Sequence, residues 1–474
     1  MNALAQGGAG GAAPGSYFAA HEKIYPREVK GRYATLRNLA VWVLLGLYYV
    51  LPWIPWDDRQ AVLFDLPARK FYIFGLTFWP QDFFLMAWLL IIAALTLFFV
   101  TAIAGRLWCG YACPQTVWTE AFLWMERITE GKHTQRRKLD KGPWTREKVL
   151  RKGAKQFLWI GFSLWTGFTF VAYFTPTSEL GPKLLSFSAG PWETFWVLFY
   201  GFATYGNAGL LREQVCKYMC PYARFQSAMF DQDTMIISYD ERRGEPRGGR
   251  KRAIDHRAAG LGDCIDCNIC VQVCPTGIDI REGLQIECIA CAACVDICND
   301  VMDKMEYPRG LIRYSTHHAM EEQQPVRVIR PRVIVYGVLL LTLLLGFGAA
   351  IANRSTLIVD VIRDRNTLYR ELSGGLIENV YTVTFVNKTE SERSYEISVR
   401  GVEGMELGVD VPLPLVSAPG EVKRIPLRLT APAGALPPGG AEITLVVEAI
   451  GDVPTTIERD TRFIAPVDVP GGRR

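Results

Sequence analysis

The chain contains two runs of closely spaced cysteines, Cys264-Ile-Asp-Cys267-Asn-Ile-Cys270-Val-Gln-Val-Cys274-Pro275 and Cys288-Ile-Ala-Cys291-Ala-Ala-Cys294-Val-Asp-Ile-Cys298. Both follow the pattern C-x-x-C-x-x-C-x-x-x-C, in which three neighbouring thiolates wrap one face of an iron–sulfur cubane. The fourth ligand must then come from elsewhere in the chain. Structural zinc is the alternative, but a tandem repeat of cysteines without histidine favours two [4Fe-4S] clusters.

In two-cluster ferredoxins the fourth cysteine of each run ligates the other cluster. We therefore predict that cluster one is held by Cys264, Cys267, Cys270 and Cys298. Cluster two is then held by Cys288, Cys291, Cys294 and Cys274. The second run has Asn299 where the first has Pro275. This difference predicts a change in the local turn or in the potential of one cluster, and it removes no ligand.

The other four cysteines form two shorter motifs, Cys109-Gly-Tyr-Ala-Cys113-Pro114 and Cys216-Lys-Tyr-Met-Cys220-Pro221. Tyr111 and Tyr218 occupy the same place in each motif, which indicates an internal repeat of two helical hairpins. Cysteines at i and i+4 would face one side of a helix, and the following proline would begin a new helix, over 114–126 and 221–230. A thiol near a helix N-terminus has a lowered pKa, so we expect these thiols to ionise readily.

Two such pairs brought together would supply four soft sulfur ligands, which suit Cu(I) or a further iron–sulfur centre. We call this set the juxtamembrane cysteines, and its members are the candidate catalytic and metal-binding residues: Cys109, Cys113, Cys216 and Cys220. Two other interpretations stay open. The pairs could only brace the helix ends, or they could form a redox-active disulfide.

The hydrophobic fraction is 49% and the mean hydropathy is +0.10, both high for a soluble protein. Five apolar runs of about 18–23 residues are each long enough to cross a bilayer as a helix. They cover residues 36–56, 83–105, 157–174, 193–211 and 333–352. Buried core helices are the alternative, but five runs nearly free of charge favour a membrane domain.

The distribution of Lys and Arg predicts the orientation. The N-terminal flank and the loop between the second and third runs are strongly basic, whereas the loop between the third and fourth has only Lys183. The N-terminus and the cysteine-rich segment should therefore be cytoplasmic, and the C-terminus periplasmic. No run contains a histidine, so we predict no bis-His haem in the bilayer; the histidines are His21, His133, His256, His317 and His318.

The two ends of the chain differ from its middle. Residues 1–20 are rich in Gly and Ala and read as a disordered tail. After Arg354, β-branched or alternating segments at 380–386, 395–399, 422–429 and 441–449 are separated by Pro/Gly turns. This pattern predicts a small antiparallel β-sandwich. It has no Cys or His, so an interaction or scaffold role is its default interpretation.

This combination resembles the cytochrome c oxidase accessory proteins called FixG, RdxA or CcoG, over essentially the whole chain after about residue 20. The resemblance rests on 109–114, 216–221, the two ferredoxin runs and the β-sandwich tail. It implies a cupric reductase that converts Cu(II) to Cu(I) for assembly of a cbb-type oxidase. It also implies that the eight ferredoxin cysteines ligate clusters, that the juxtamembrane cysteines bind copper or another redox centre, and that the sandwich is immunoglobulin-like.

We therefore expect a multi-domain membrane protein: a five-span α-helical bundle with an inserted two-cluster ferredoxin α+β domain and a C-terminal immunoglobulin-like β-sandwich. The expected domains are 1–35 (tail), 36–230 (four spans), 231–332 (ferredoxin), 333–354 (fifth span) and 355–474 (sandwich). The expected location is the bacterial inner membrane.

The expected partners are the membrane, a cytoplasmic electron donor, copper, and a copper chaperone or oxidase assembly factors. No nucleic-acid partner is expected, and self-association into a homo-oligomer stays open. Two alternative functions remain. One is a quinol-linked electron-transfer subunit, and the other is a non-catalytic scaffold for oxidase assembly.

Overall fold

The computed structural model describes residues 23–252, 255, 258–322, 324–364, 367–450 and 455–467. The predicted tail at 1–20, His21 and His256 lie outside these residues. The chain divides into two compact units, Met1–Leu344 and Leu345–Arg474.

The first unit is mainly helical. The helices that precede the ferredoxin segment are α1 (Arg32–Val50), α2 (Phe83–Ala104), α3 (Leu107–Tyr111), α4 (Pro114–Glu130), α5 (His133–Lys141), α6 (Arg146–Ala172), α7 (Thr177–Leu185), α8 (Pro191–Thr204) and α9 (Pro221–Ala228). The later helices are α10 (Glu241–Gly244), α11 (Ile269–Gln272), α12 (Ala293–Met305) and α13 (His317–Glu321). A last long helix, α14 (Pro331–Ala352), contains the boundary between the two units.

Three helices of the described chain are long and apolar enough to cross a membrane, by length and composition: Arg32–Trp53, Pro80–Ala104 and Pro331–Ala352. They correspond to the first, second and fifth predicted runs. The third run falls in α6, whose first turns carry basic residues instead of apolar ones. The fourth falls in α8, which has 14 residues and then widens into a π-helical segment, Tyr205–Leu211. The five-span count therefore stays a prediction.

Short strands in the first unit lie in two places. Between α1 and α2 the structure has strands that the sequence analysis did not predict. There β1 (Pro55–Trp56) pairs with β2 (Arg59–Gln60), and a separate three-stranded sheet is formed by β3 (Val62–Asp65), β4 (Lys70–Ile73) and β5 (Leu76–Phe78). Further along, β6 (Ile236–Tyr239) pairs antiparallel with β7 (Ile312–Ser315), so that Ile236 lies opposite Ser315. This pair closes the cysteine-rich segment between its two ends, as an α+β ferredoxin requires.

The N-terminus of α1 is capped by the ferredoxin segment. Helix N-termini leave backbone N–H groups without partners, and a carboxylate there satisfies them. The buried carboxylate of Asp296, on α12, accepts hydrogen bonds from the N–H groups of Ala34 (2.7 Å) and Tyr33 (3.2 Å). A side chain at Gly31 would collide with Asp296, because its Cβ would lie 2.4 Å from the carboxyl carbon. A candidate membrane helix and the ferredoxin are therefore joined directly.

The second unit is the predicted antiparallel β-sandwich. Its strands are β8 (Leu357–Arg363), β9 (Arg370–Leu372), β10 (Leu376–Asn387), β11 (Arg393–Arg400), β12 (Glu406–Val409), β13 (Leu415–Ser417), β14 (Val422–Pro432), β15 (Ala441–Ile450) and β16 (Thr456–Phe463). One sheet has the order β12-β14-β10-β8, with β9 also on β10, and the other has the order β13-β11-β15-β16. Inward residues such as Tyr381, Phe385 and Tyr395 are buried between the sheets, because side chains alternate along each strand.

Candidate metal centre

Four cysteines surround a small cavity within the ferredoxin segment: Cys264, Cys267, Cys270 and Cys298. The first three lie in the first cysteine run, and Cys298 reaches the cavity from α12 of the second run. Electrostatic interactions join Cys298 to the other three thiols. The grouping matches the ligand set that the spacing predicts for cluster one.

The other four ferredoxin cysteines line a second cavity: Cys274, Cys288, Cys291 and Cys294. Cys274 comes from the first run, and its charge interacts with those of the three cysteines of the second run. The hydroxyl of buried Thr276 lies 3.3 Å from the Cys274 sulfur. This set corresponds to the ligands predicted for cluster two, so each run contributes one cysteine to the other cavity.

The two cysteine runs share an unusual backbone. Asp266 and Asn268 have positive φ angles of 51° and 55°, and the equivalent Ala290 and Ala292 have 52° and 58°. Left-handed residues between the cysteines turn successive side chains toward one point, although they cost energy for a residue with a Cβ. The repeated strain indicates that both loops are shaped around the same kind of centre.

The runs diverge after their fourth cysteine. In the first run, α11 has four residues and the chain turns at Pro275. In the second, Asn299 lets α12 continue to Met305, since it has a backbone N–H that proline lacks. The Asn299 side chain accepts a hydrogen bond from the N–H of Gly310 at 2.9 Å. The predicted change of local turn is confirmed.

Burial dominates the acid–base properties of these thiols. It raises the pKa of Cys270 to about 11 and those of Cys288 and Cys298 to about 12. Buried Arg281 opposes this effect at Cys270, and its guanidinium contacts Asp266 at 2.7 Å. Four thiolates packed into one low-dielectric cavity need compensating positive charge, which an iron–sulfur core supplies when bound.

The juxtamembrane cysteines also gather in one place. The charge of Cys109 interacts with those of Cys113, Cys216 and Cys220. Within the described residues, no group of three or more His, Cys, Asp or Glu side chains is close enough to hold a single metal ion as the side chains stand. The four sulfur atoms are therefore neighbours whose ligand role stays a prediction.

Neither juxtamembrane pair lies along one regular helix, so the expectation of two cysteines on one helix face is wrong. Cys109 lies in α3, whereas Cys113 is the N-cap of α4 after a break at Ala112. Cys216 lies in a π-helical turn, Val215–Met219, and Cys220 is the N-cap of α9. The prolines that follow do begin α4 and α9, as predicted.

The expectation of lowered thiol pKa values is also wrong. Burial raises the pKa of Cys109 to about 12 and that of Cys216 to about 11, and it raises the pKa of Cys113 as well. The cost of ionising a thiol away from water exceeds the benefit of the nearby helix N-termini. A cationic metal would have to accompany ionisation here.

The first juxtamembrane pair touches the loop of cluster two. Cys109 packs against a cluster of buried residues that includes Ile289, Cys291 and Ala293. Next to it, Gly110 approaches the same loop so closely that a Cβ would lie 2.7 Å from the Ile289 carbonyl oxygen and 2.9 Å from the Cys291 Cα. Only glycine allows this contact, so the spacing C-G-Y-A-C serves docking as well as sulfur placement.

Arg106 joins the two kinds of centre, and the sequence analysis missed it. Its side chain is 4% exposed and donates hydrogen bonds to the carbonyls of Ile286 and Ala223, with a longer contact of 3.5 Å to Cys288. Its positive charge favours the ionised forms of Cys109, Cys216 and Cys288. A lone arginine just after an apolar run and before the cysteine motif was the signal available in the sequence.

Buried Gln226 orients Cys109. Its side-chain oxygen lies 3.4 Å from the Cys109 sulfur, and its amide nitrogen donates to the Tyr222 hydroxyl at 2.9 Å and to the Gly105 carbonyl at 3.2 Å. The amide is therefore held between α9 and the end of α2. This contact links the helix after the second pair to a thiol of the first.

A buried carboxylate supports the second pair. Glu126 is fully buried on α4 and accepts hydrogen bonds from Arg212 and Arg136, each at 3.0 Å. Burial would raise the pKa of Glu126, but the two guanidinium groups outweigh it and hold that pKa below its usual range. Arg212 has a positive φ of 44° and ends the π-helical segment just before the Cys216 turn. The ion pairs therefore stabilise a strained turn beside the site.

Family models match three parts of the chain. A "4Fe-4S dicluster domain" matches residues 211–317, which include Cys216, Cys220 and all eight ferredoxin cysteines. A "4Fe-4S binding domain" matches residues 86–131, which include Cys109 and Cys113. The "IG-like fold at C-terminal of FixG" matches residues 347–466. The fold and the cysteine cavities thus define an iron–sulfur electron-transfer protein of the membrane.

Three relatives resemble nearly the whole chain. The nitrogen fixation protein FixG of Rhizobium meliloti is 36% identical, over 96% of this chain and 94% of its own length. Protein RdxA of Cereibacter sphaeroides is 41% identical, over 90% and 92%, and protein RdxB of the same organism is 41% identical, over 83% and 85%. The chain belongs to the FixG/RdxA family.

Among solved structures, a FixG-related protein from Vibrio parahaemolyticus matches with 30% identity. The match covers 23% of this chain and 96% of that one, with a TM-score of 0.21.

Proposed function

We propose that this protein is a membrane-bound cupric reductase, which passes single electrons to Cu(II) at the juxtamembrane cysteines and so provides Cu(I) for assembly of a cbb-type cytochrome c oxidase. The observation that carries the proposal is the contact of Cys109 and Gly110 with the Ile289–Cys291 loop. A copper ion at the first pair would be separated from the cluster-two ligands by packed protein only.

The chemistry suits the residues. Reduction of Cu(II) to Cu(I) takes one electron, and the two cubanes that the eight ferredoxin cysteines would hold supply electrons one at a time when bound. Soft thiolates bind Cu(I) in preference to Cu(II), so sulfur ligands favour the reduced product. Arg106 would offset part of the negative charge that thiolates bring to the buried site.

We also propose the topology and partners that the sequence predicts. The chain would cross the bacterial inner membrane five times, with the N-terminus and residues 231–332 cytoplasmic and residues 355–474 periplasmic. The basic stretch of α5 and of the first turns of α6 supports a cytoplasmic side for that region. A reductant that acts at the cytoplasmic face would deliver electrons, and a copper chaperone or oxidase assembly factors would exchange the metal.

The test is a direct one. Anaerobic protein is reduced, mixed with Cu(II) and a Cu(I)-specific chelator, and followed for chelator colour and cluster reoxidation together. We expect Cu(I) to appear as the clusters reoxidise, and a variant with Cys109, Cys113, Cys216 and Cys220 all changed to Ser to react slowly with its ferredoxin clusters intact. Reduced clusters that persist unchanged in Cu(II) would refute the proposal.

A third iron–sulfur cluster is the second candidate for the juxtamembrane cysteines. The match of a 4Fe-4S binding domain to residues 86–131, which hold the first pair, favours it. Iron analysis separates the two candidates, because two cubanes contain eight iron atoms and three contain twelve (about four for each cluster). Loss of a third of the iron in the four-serine variant would assign a cluster to this site and place the entry of copper elsewhere.

A further inference from the structure

A cavity of about 510 Å³ lies within the first unit, next to both kinds of cysteine centre. Its wall includes Cys216 of the second juxtamembrane pair and Cys291 of the cluster-two set. The volume is in the range of sites for small organic molecules. Of the four juxtamembrane cysteines Cys216 alone is on this wall, so the proposed copper site accounts for only one edge of the cavity.

One wall of the cavity is a face of a candidate membrane helix. Ala34, Arg37, Asn38 and Val41 line it from α1 and follow the spacing i, i+3, i+4, i+7, which places them on one side of the helix. Across the cavity, α4 contributes Leu123 together with residues whose side chains are largely exposed, Trp124 (52%) and Ile128 (61%). A lipid-soluble molecule could therefore enter along apolar side chains.

The inner wall is polar and touches the cluster-two loop. Arg37 lines the cavity and donates a hydrogen bond to the carbonyl of Cys291. The hydroxyl of Thr119 and the carboxylate of Glu120 also line it, and Glu120 is paired with Arg127 at 3.0 Å. These groups can donate to and accept from the hydroxyls of a ring that lies against the loop.

The charge of the wall argues against a metal cation. Among the described residues that line the cavity, six are basic and three are acidic. Buried Glu126 offsets part of this excess through Arg136 and Arg212, and the remaining basic groups suit a neutral or anionic phenolic head better than a metal cation. An apolar approach, a polar end with donors and acceptors, and two adjacent redox centres together fit one class of small molecule.

We propose that this cavity binds a lipid-soluble hydroquinone that serves as the electron donor of the protein. The inference rests on the proposed electron-transfer function and adds the donor class to it. Oxidation of one hydroquinone to the quinone releases two electrons and two protons. The two electrons would pass to the clusters that the ferredoxin cysteines would hold, one to each, and the two protons would leave to the Glu120 carboxylate and to water.

The experiment compares two neighbouring substitutions on α1. Asn38 is exposed and lines the cavity, so a larger side chain at this position would fill part of the space. Leu39 is also exposed, at 58%, but does not line the cavity. Oxidised protein in detergent is mixed anaerobically with a short-chain hydroquinone, and bleaching of the iron–sulfur absorbance is followed. We expect Asn38→Trp to slow the bleaching at least about tenfold, and Leu39→Trp to leave it at the wild-type rate.

Dithionite reduction separates this inference from the proposed function. Both variants should be reduced fully by dithionite and then reoxidised by Cu(II), which shows that the centres are intact.

Equal rates of reduction by hydroquinone in wild type and Asn38→Trp would overturn the inference, as would wild-type protein that hydroquinone does not reduce. Phospholipid retained in the purified protein but lost from Asn38→Trp, without hydroquinone activity, would assign the cavity to a lipid headgroup and would also overturn it. Each of these results leaves the proposed function standing, because reduction of Cu(II) by dithionite-reduced protein tests that function separately.

Discussion

The two juxtamembrane pairs have the same C-x-Y-x-C-P motif but different surroundings. The first has Gly110 at its second position, and this residue is buried against the cluster-two loop. The second has Lys217 there, and the adjacent Tyr218 and Met219 are 70% and 58% exposed. A repeated motif therefore serves two purposes: the first copy docks the ferredoxin, and the second keeps an open side beside a cavity.

The pairs also differ in how they are held. The first is positioned by close packing and by Gln226, whereas the second follows a π-helical segment held through Arg212 by buried Glu126. The comparison suggests substitutions that should affect one pair and spare the other.

Glu126→Gln should lower the free energy of unfolding of the first unit by about 3–5 kcal/mol, since it leaves two buried guanidinium groups without their carboxylate. The measurement is denaturant unfolding followed by tryptophan fluorescence. Glu147→Gln is the matched control. Its exposed ion pair with Arg151, 2.8 Å long, should contribute at most about 1 kcal/mol. Equal losses in the two variants would show that the buried network does not hold the second pair.

The same carboxylate predicts an effect of pH. The pKa of Glu126 is lowered in the folded protein, so its contribution is present above the pKa of an unfolded glutamate and is lost as the pH falls through the lowered folded value. We expect the stability difference between wild type and Glu126→Gln to shrink on acidification. Unfolding measured across this acid range checks it, and a difference that grows toward low pH would contradict the assignment.

Gly110→Val should slow electron transfer from the ferredoxin to copper about a hundredfold, because the added side chain pushes the pair away from the Ile289–Cys291 loop. Lys217→Val, at the same place of the second motif, should react like the wild type. Stopped-flow reoxidation of reduced protein by Cu(II) measures both. The iron content of both variants should equal that of the wild type, which shows that the clusters are intact. A loss of rate in Lys217→Val alone would reverse the roles assigned to the two pairs.

Arg106→Gln should lower the midpoint potential of cluster two by about 60 mV, which is a tenfold change for a one-electron couple. The loss of a buried positive charge makes the more negative, reduced state less stable. Arg106→Lys keeps the charge and should shift the potential less. Redox titration followed by EPR measures the shift. Identical midpoint potentials in the Gln and Lys variants would show that the charge of Arg106 does not influence cluster two.

The smallest expected effect concerns the tyrosines at the middle of the two cysteine motifs. Tyr111 is partly buried near Cys291 and Tyr314, whereas Tyr218 is 70% exposed. Tyr111→Ala should therefore lower the unfolding free energy by about 1 kcal/mol, because a partly buried ring is lost, and Tyr218→Ala by less than about 0.5 kcal/mol. Thermal unfolding compares them. A larger loss at Tyr218 would mean that the second pair is covered in the working protein.

Spacing and periodicity predicted the parts of the molecule that depend on local chain geometry. Cysteines a few residues apart can reach one point only in a few ways, so three ligands of each group were readable from the motif, and the exchange of the fourth followed the pattern of two-cluster ferredoxins. Alternation along strands predicted the β-sandwich, since side chains of a strand point to opposite faces. The same local reasoning failed at the thiols of Cys109 and Cys216, where burial and not the helix ends sets the pKa.

The sequence by itself thus determined the class of protein, the eight candidate cluster ligands and the sandwich, because each follows from residues close together in the chain. Only the tertiary structure decided which cysteine pair touches the ferredoxin, where the charge of Arg106 acts, and where the cavity lies. Those features join residues such as Arg37 and Cys291, or Gly110 and Ile289, that lie far apart in sequence. Packing, desolvation and charge compensation act between such residues, and no local pattern records them.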